Sequence, residues 1–217
     1  MKKILIIGGG DMASKVIFLI QKIKKFKIIG YVDKKNKGTI FKIKRLGSDK
    51  DISKIIKKYK NINAVIAFGS TPSLLSKRSK MIRTLKKNNI KTPNIISPLA
   101  CIDVNKKLDL GEGNIIFQGC KVDYESKLGN FNIFNVNVTI SHHCIFSENS
   151  MIHPGAVILG RVKIGKNVFI GANATVNPSV TILSGCVVGS GSVVVKKILH
   201  KGTYVGIPAK KIKKKIK

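Results

Sequence analysis

Residues 151–194 read MIHPGAVILGRVKIGKNVFIGANATVNPSVTILSGCVVGSGSVV, and every sixth side chain in this stretch is aliphatic: Ile152, Ile158, Ile164, Ile170, Val176, Ile182, Val188 and Val194. The same step carried backwards meets Phe146, Ile140, Phe134, Leu128, Val122, Ile116, Leu110 and Val104, sixteen positions in all with no insertion. Four residues after each of these, from Leu110 to Val188, the side chain is small or β-branched, Cys120, Ser126, Cys144, Ala156, Val168 and Cys186 among them, with Asn114 and Asn132 completing the column. An α-helix repeats every 3.6 residues and a plain strand every two, so neither sustains a period of six. One large and one small inward residue per hexad fit a coil with three flat faces, about eighteen residues to the turn, whose stacked turns share one apolar core. Sixteen hexads make about five such turns. On this reading Cys120, Cys144 and Cys186 are inward fillers.

Upstream of about residue 97 the period changes. Ile4–Ile7 reads as a buried strand, Asp11–Lys25 as a helix, Lys27–Val32 as a strand, Ile52–Tyr59 as a helix, Ala64–Phe68 as a strand and Pro72–Asn88 as a helix. That alternation predicts a small parallel sheet with helices on its faces. The expected fold is therefore α/β plus all-β: a Rossmann-like domain over 1–97, a parallel β-helix over 98–200, and a cap with a basic tail over 201–217. The segment 202–217, GTYVGIPAKKIKKKIK, reads as a turn, a short strand and that tail.

The 217 residues carry 41 Lys and Arg against 10 Asp and Glu, a formal charge of +31. Residues 1–97 hold +21 of it, residues 98–200 only +3, and residues 201–217 hold +7. Only four of the basic residues are Arg (Arg45, Arg78, Arg83, Arg161), whereas nucleic-acid readout favours the bidentate guanidinium. The charge thus speaks for anionic small molecules or solvated helix faces, and no nucleic-acid partner is expected. The apolar run of MKKILIIGGGDMASKV ends in three glycines and an Asp, which suits a strand and a phosphate turn better than an export signal. No apolar stretch reaches membrane-spanning length. Four cysteines without CxxC spacing suggest neither a zinc cage nor a redox motif, and a reducing cytoplasm is the expected compartment.

The turn Gly8-Gly9-Gly10-Asp11-Met12-Ala13 follows a strand and opens a helix. Gly8, Gly10 and Ala13 fit a G-x-G-x-x-A phosphate fingerprint, and Asp33, 23 residues beyond Gly10, is placed to bind a hydroxyl-rich ribose. Alone this suggests NAD, but a domain of this size carries no catalytic half for hydride transfer.

A short nucleotide-fold domain, then hexapeptide repeats, then VGIPAKKI resembles the sugar acyltransferases of the PglD/NeuD type, which are left-handed β-helix acyltransferases. The resemblance covers nearly the whole chain. It implies a left-handed coil, a homotrimer, acetyl-CoA as donor without a metal, and a nucleotide-linked acceptor, often a UDP-linked amino sugar, in surface polysaccharide biosynthesis. The family's central motif is an Asn, then seven residues on a His followed by an acidic residue. Here 135–144 reads NVNVTISHHC, so Asn135 and His142 match while His143 stands in the acidic place. Met151 occupies the place of a second family His, with His153 two residues on, and Met12 stands where the family's glycine turn often has His. The resemblance makes Gly8, Gly10, Asp33 and Asn135 the acceptor-binding residues and Gly160, Ala172 and Ser190 the donor contacts, with Lys196, Lys197 and Lys210 open to the CoA phosphates.

An amine or hydroxyl attacking a thioester must lose a proton as the new bond forms, and imidazole suits that near neutral pH. His142 is the candidate base, with Gly160 stacked over it one turn later and offering a backbone N–H to the oxyanion. His143 is a second base, a partner of His142 or a bystander, and Glu148 is an alternative orienting group. Two further readings are an O-acetyltransferase acting on sialic acid or another sugar hydroxyl, and a β-helix metal enzyme of the gamma-class carbonic anhydrase kind using His142, His143 and His153. Adjacent residues on one strand point to opposite faces, which makes a shared metal awkward.

Overall fold

The structure is a computed structural model that describes residues 1–35, 38–102 and 109–212. Val104, the first hexad position, and the end of the basic tail lie outside the described residues. The chain divides into two compact units, Met1–Ile95 and Ile96–Lys217.

In the first unit, β1 (Lys2–Ile7), α1 (Asp11–Ile23), β2 (Phe26–Val32), β3 (Thr39–Ile40), β4 (Ile43–Gly47), α2 (Ile52–Lys58), β5 (Asn63–Ile66) and α3 (Leu74–Lys87) follow one another. The sheet order is β3-β4-β2-β1-β5. β1, β2, β4 and β5 pair in parallel, while β3 joins β4 antiparallel. Ile4–Ile7 is buried without alternation, as expected of a strand covered on both faces. α1 turns Val16, Ile17 and Ile20 inward, puts Asp11 in its first turn and ends where Lys24 enters the left-handed region. The β3–β4 hairpin is absent from the sequence reading. Its two turn residues, Phe41 and Lys42, both have positive φ (45° and 65°), the geometry of a turn that ordinarily advertises itself by Asn-Gly.

The second unit is the three-faced coil. Two-residue strands pair in parallel with partners eighteen positions on: Ile133 with Met151, Met151 with Phe169, Phe169 with Val187. Lys127–Leu128, Ile145–Phe146, Lys163–Ile164 and Thr181–Ile182 build a second face in the same register. All fourteen repeat residues from Ile116 to Val194 are buried, as are the small residues four positions after each of those from Ile116 to Val188. Phe134 and Phe146 meet edge to face at 5.2 Å. Cys120, Cys144 and Cys186 lie inside, and Cys101 is exposed. The strand Thr203–Val205 continues one face beside Val187–Val188 and folds back on Lys210–Ile212.

The coil turns its corners by one left-handed residue per hexad, a column that the six-residue reading did not register. Along one edge these are Gly119, Asn137, Gly155, Asn173 and Gly191; along a second, Gly113, Phe131, Asn149, Asn167 and Gly185; along the third, Glu125, His143, Arg161 and Ser179. Gly and Asn take this conformation readily, whereas other L-residues are disfavoured there by about 1 kcal/mol or more.

Candidate active site

His142 and His143 form the corner of a turn and do not lie on a strand. The expectation that their side chains diverge to opposite faces is therefore overturned: His143, at φ 59°, bends the chain back, and the two rings meet edge to face. Their Nδ1 atoms are 2.9 Å apart, a hydrogen bond. Ser126, one turn earlier, brackets the pair: its Oγ donates to the Ser141 carbonyl at 2.9 Å and accepts the Cys144 N–H at 3.0 Å.

Above His142 stands Gly160. A Cβ added to Gly160 would lie 2.7 Å from Cε1 and 2.8 Å from Nε2 of His142, so glycine here leaves that edge of the imidazole uncovered. Below stands Tyr124, whose ring stacks on His142 at 5.7 Å with 22° between the planes and meets His143 edge-on at 5.3 Å. One place further, Glu125 reaches up to His143: Oε2 lies 2.7 Å from Nε2. It is Glu125, from the preceding turn, that bonds the histidine pair. Both Tyr124 and Glu125 escaped the motif reading, although subtracting eighteen from 142 and 143 names them.

The remaining candidates separate into groups. Gly160 shares the edge of His142, whereas Ala172 and Ser190 stack in the column of Pro154, on another edge. They do not form a single line along one chain with Gly160. Asn135 is buried, its Oδ1 accepting the Val136 N–H at 2.9 Å, and it stacks in the column of His153, not of His142. The His153 ring lies on Phe169 at 4.4 Å. Lys196, Lys197 and Lys210 are exposed. Among the described residues no group of three or more His, Cys, Asp or Glu could hold a metal ion. No described helix is long and apolar enough to cross a membrane.

In the first unit Gly8 adopts φ 121°, and a Cβ there would lie 2.7 Å from the Ala67 carbonyl oxygen. Gly9, which the fingerprint reading passed over, presses on Asp33 and Tyr31, a Cβ on it lying 2.7 Å from the Asp33 Cβ. Gly10 is the N-cap residue of α1 and has open space around it. Asp33 follows β2, and its carboxylate accepts the Lys35 N–H at 2.8 Å. Arg78 is fully buried beneath this end of the sheet, donating through Nη1 to the carbonyls of Ile66 and Phe68 at 2.9 Å each. Burial pushes its guanidinium down to about 9.

Residues 3–85 match the PglD N-terminal domain family, and residues 143–178 and 161–196 match the bacterial transferase hexapeptide family of six repeats. The fold aligns with a perosamine N-acetyltransferase from Caulobacter crescentus, solved with CoA and GDP-perosamine, at TM-score 0.90 and 25% identity over 99% of this chain and 98% of that one. It aligns also with the acetyltransferase domain of PglB from Neisseria gonorrhoeae at TM-score 0.89 and 24% identity, over 98% of this chain and all of that one. A serine acetyltransferase from Buchnera aphidicola is 33% identical over 125 residues, 55% of this chain, and the chain covers only 40% of that enzyme's length. The chain thus carries a PglD N-terminal domain and bacterial transferase hexapeptide repeats, a Rossmann-like unit followed by a left-handed β-helix.

Proposed function

We propose that the protein transfers an acetyl group from acetyl-CoA to the amino group of a nucleotide-linked amino sugar. The amine attacks the thioester directly, with His142 as general base. The observation that carries this reading is the open Nε2 edge of His142 beneath Gly160. As the C–N bond forms and the C–S bond breaks, His142 takes the amine proton and returns it to the departing thiolate, giving the N-acetyl sugar and free CoA. The Gly160 backbone N–H supports the oxyanion. Adjacent to the base, His143 acts as its partner.

Ala172 and Ser190 stand on another edge, so a donor touching them and Gly160 fits between neighbouring copies of the chain. That supports a homotrimer with acetyl-CoA held at its interfaces. The turn with Gly8 and Gly10, together with Asp33, takes the nucleotide, and Asn135 takes part in acceptor binding. UDP is the nucleotide we assign, although the Caulobacter relative was solved with GDP-perosamine. The compartment is the cytoplasm, where sugar precursors of surface polysaccharides are acetylated.

The test is release of free thiol from acetyl-CoA with a panel of UDP- and GDP-linked amino sugars, plus sialic acid as a hydroxyl acceptor. Turnover with an amino sugar is expected, and none in His142→Ala, whose assembly stays intact. Turnover confined to sialic acid overturns N-transfer, and a near-normal His142→Ala overturns the base.

A further inference from the structure

The edge that carries the histidine pair is built against local preference. The corners of one other edge are all Gly or Asn, and those of the third are Gly or Asn except Phe131. On the His edge the left-handed positions hold Glu125, His143, Arg161 and Ser179, at φ between 56° and 62°. A Glu in this conformation is disfavoured, and an ion pair whose carboxylate side chain is 67% exposed returns little to the fold. Neither term explains Glu125 through stability. The coil needs the left-handed corner but not a Glu in it, and a residue kept there at a conformational cost is a pointer to function.

Hydrogen-bond chemistry fixes what Glu125 does. An ionised carboxylate only accepts, so the 2.7 Å contact requires a proton on His143 Nε2. A neutral His143 then has its lone pair on Nδ1. The 2.9 Å contact between the two Nδ1 atoms must in turn be donated by His142. With its proton on Nδ1, His142 presents a bare Nε2, and Nε2 is the atom beneath Gly160.

We propose that Glu125, acting through His143, is a positioning residue that fixes the tautomer of His142 and leaves its Nε2 lone pair facing the acceptor. This rests on the reading of His142 as the base. When Nε2 takes the acceptor's proton, the imidazolium still donates from Nδ1 to His143, which still donates to the Glu125 carboxylate. The opposite charge steadies the cation without itself being protonated. The proton then leaves from Nε2 to the thiolate, so the chain ends each cycle as it began.

The tautomers are read directly by long-range proton–nitrogen correlation spectra of the 15N-labelled full-length protein, its four histidines assigned by substitution. The expected wild-type pattern is a protonated Nδ1 on His142 and a protonated Nε2 on His143. Glu125→Asn suits the left-handed backbone but its shorter side chain does not span to His143. In this variant the two histidines should show mixed tautomers, melting should occur at the wild-type temperature or above, and kcat should fall about 10- to 100-fold at unchanged KM. Glu125→Gln keeps an acceptor without the charge and should retain the tautomers with a smaller loss of kcat. A wild-type His142 protonated on Nε2 overturns the proposal, as does a Glu125→Asn variant with wild-type kcat. The spectra are read without substrate, so a failure of the acyl-transfer reading, seen as an active His142→Ala or no thiol release, is distinct from a failure of this one.

Discussion

Gly160 sits over the imidazole of His142 so closely that a single added methyl would lie 2.8 Å from Nε2. The contact is with the tip of a side chain that can swing aside, so the fold tolerates the methyl while the ring is displaced. Gly160→Ala should melt within a degree or two of wild type yet lose about 100-fold in kcat/KM, the scale of a one-ångström misplacement of a reacting group. Thermal denaturation and steady-state rates measured on the same preparation check both halves.

Ser126 ties down both ends of the histidine corner. Ser126→Ala should cost about 1–3 kcal/mol, because the buried Cys144 N–H and Ser141 carbonyl each lose a partner. Urea unfolding measures that cost. Ser126→Cys, which restores a weak donor of similar size, should recover part of it.

Burial separates the cysteines. The thiols of Cys120 and Cys144 are pushed up to about 11 by desolvation, and that of Cys186 is raised for the same reason, while Cys101 is exposed. Ellman's reagent should therefore titrate one thiol per native chain quickly and four after denaturation. An unfolded chain releases the Cys120 and Cys144 protons near 9 and the folded chain holds them to about 11, so stability should fall as pH rises through that window. Urea midpoints at pH 8 and pH 10 should differ in that direction, and less so in Cys120→Ala.

Arg78 holds the C-terminal end of β5 from inside. Arg78→Ala removes both bonds to Ile66 and Phe68 and leaves a cavity, and should cost about 3 kcal/mol or more. Arg78→Lys should recover only part of the loss, because a compact ammonium does not fill the volume left by the buried planar guanidinium. Circular dichroism melting curves of the three proteins provide the comparison.

The coil was legible because its core obeys a strict period: every repeat residue from Ile116 to Val194 points inward in a register that no helix or hairpin imitates. His142 and Gly160 were legible for the same reason, since the turn length superposes them. Glu125 and Tyr124 were hidden because a motif is read along the chain, whereas their contacts run across it, one full turn away. His143 misled in its direction because a left-handed φ reverses the alternation that neighbouring strand residues obey. The β3–β4 hairpin went unseen because Phe41 and Lys42 carry none of the usual turn chemistry, and Arg78 gave no sign that a cation in a Lys-rich helix faces inward. In the glycine turn the fingerprint names Gly8 and Gly10 but is silent on Gly9, whose close packing against Asp33 and Tyr31 runs across the sheet and not along the chain.

The eighteen-residue register has a consequence for how such a chain can change over generations. Removing one residue between His143 and Gly160 would bring Arg161 over His142 and face every later core side chain the wrong way. Inserting a whole eighteen-residue turn beyond Ser190 would disturb neither. The molecule is thus tolerant of editing in units of eighteen and intolerant of anything smaller, so the height of the coil is free to drift while the residues facing the imidazole are held by counting.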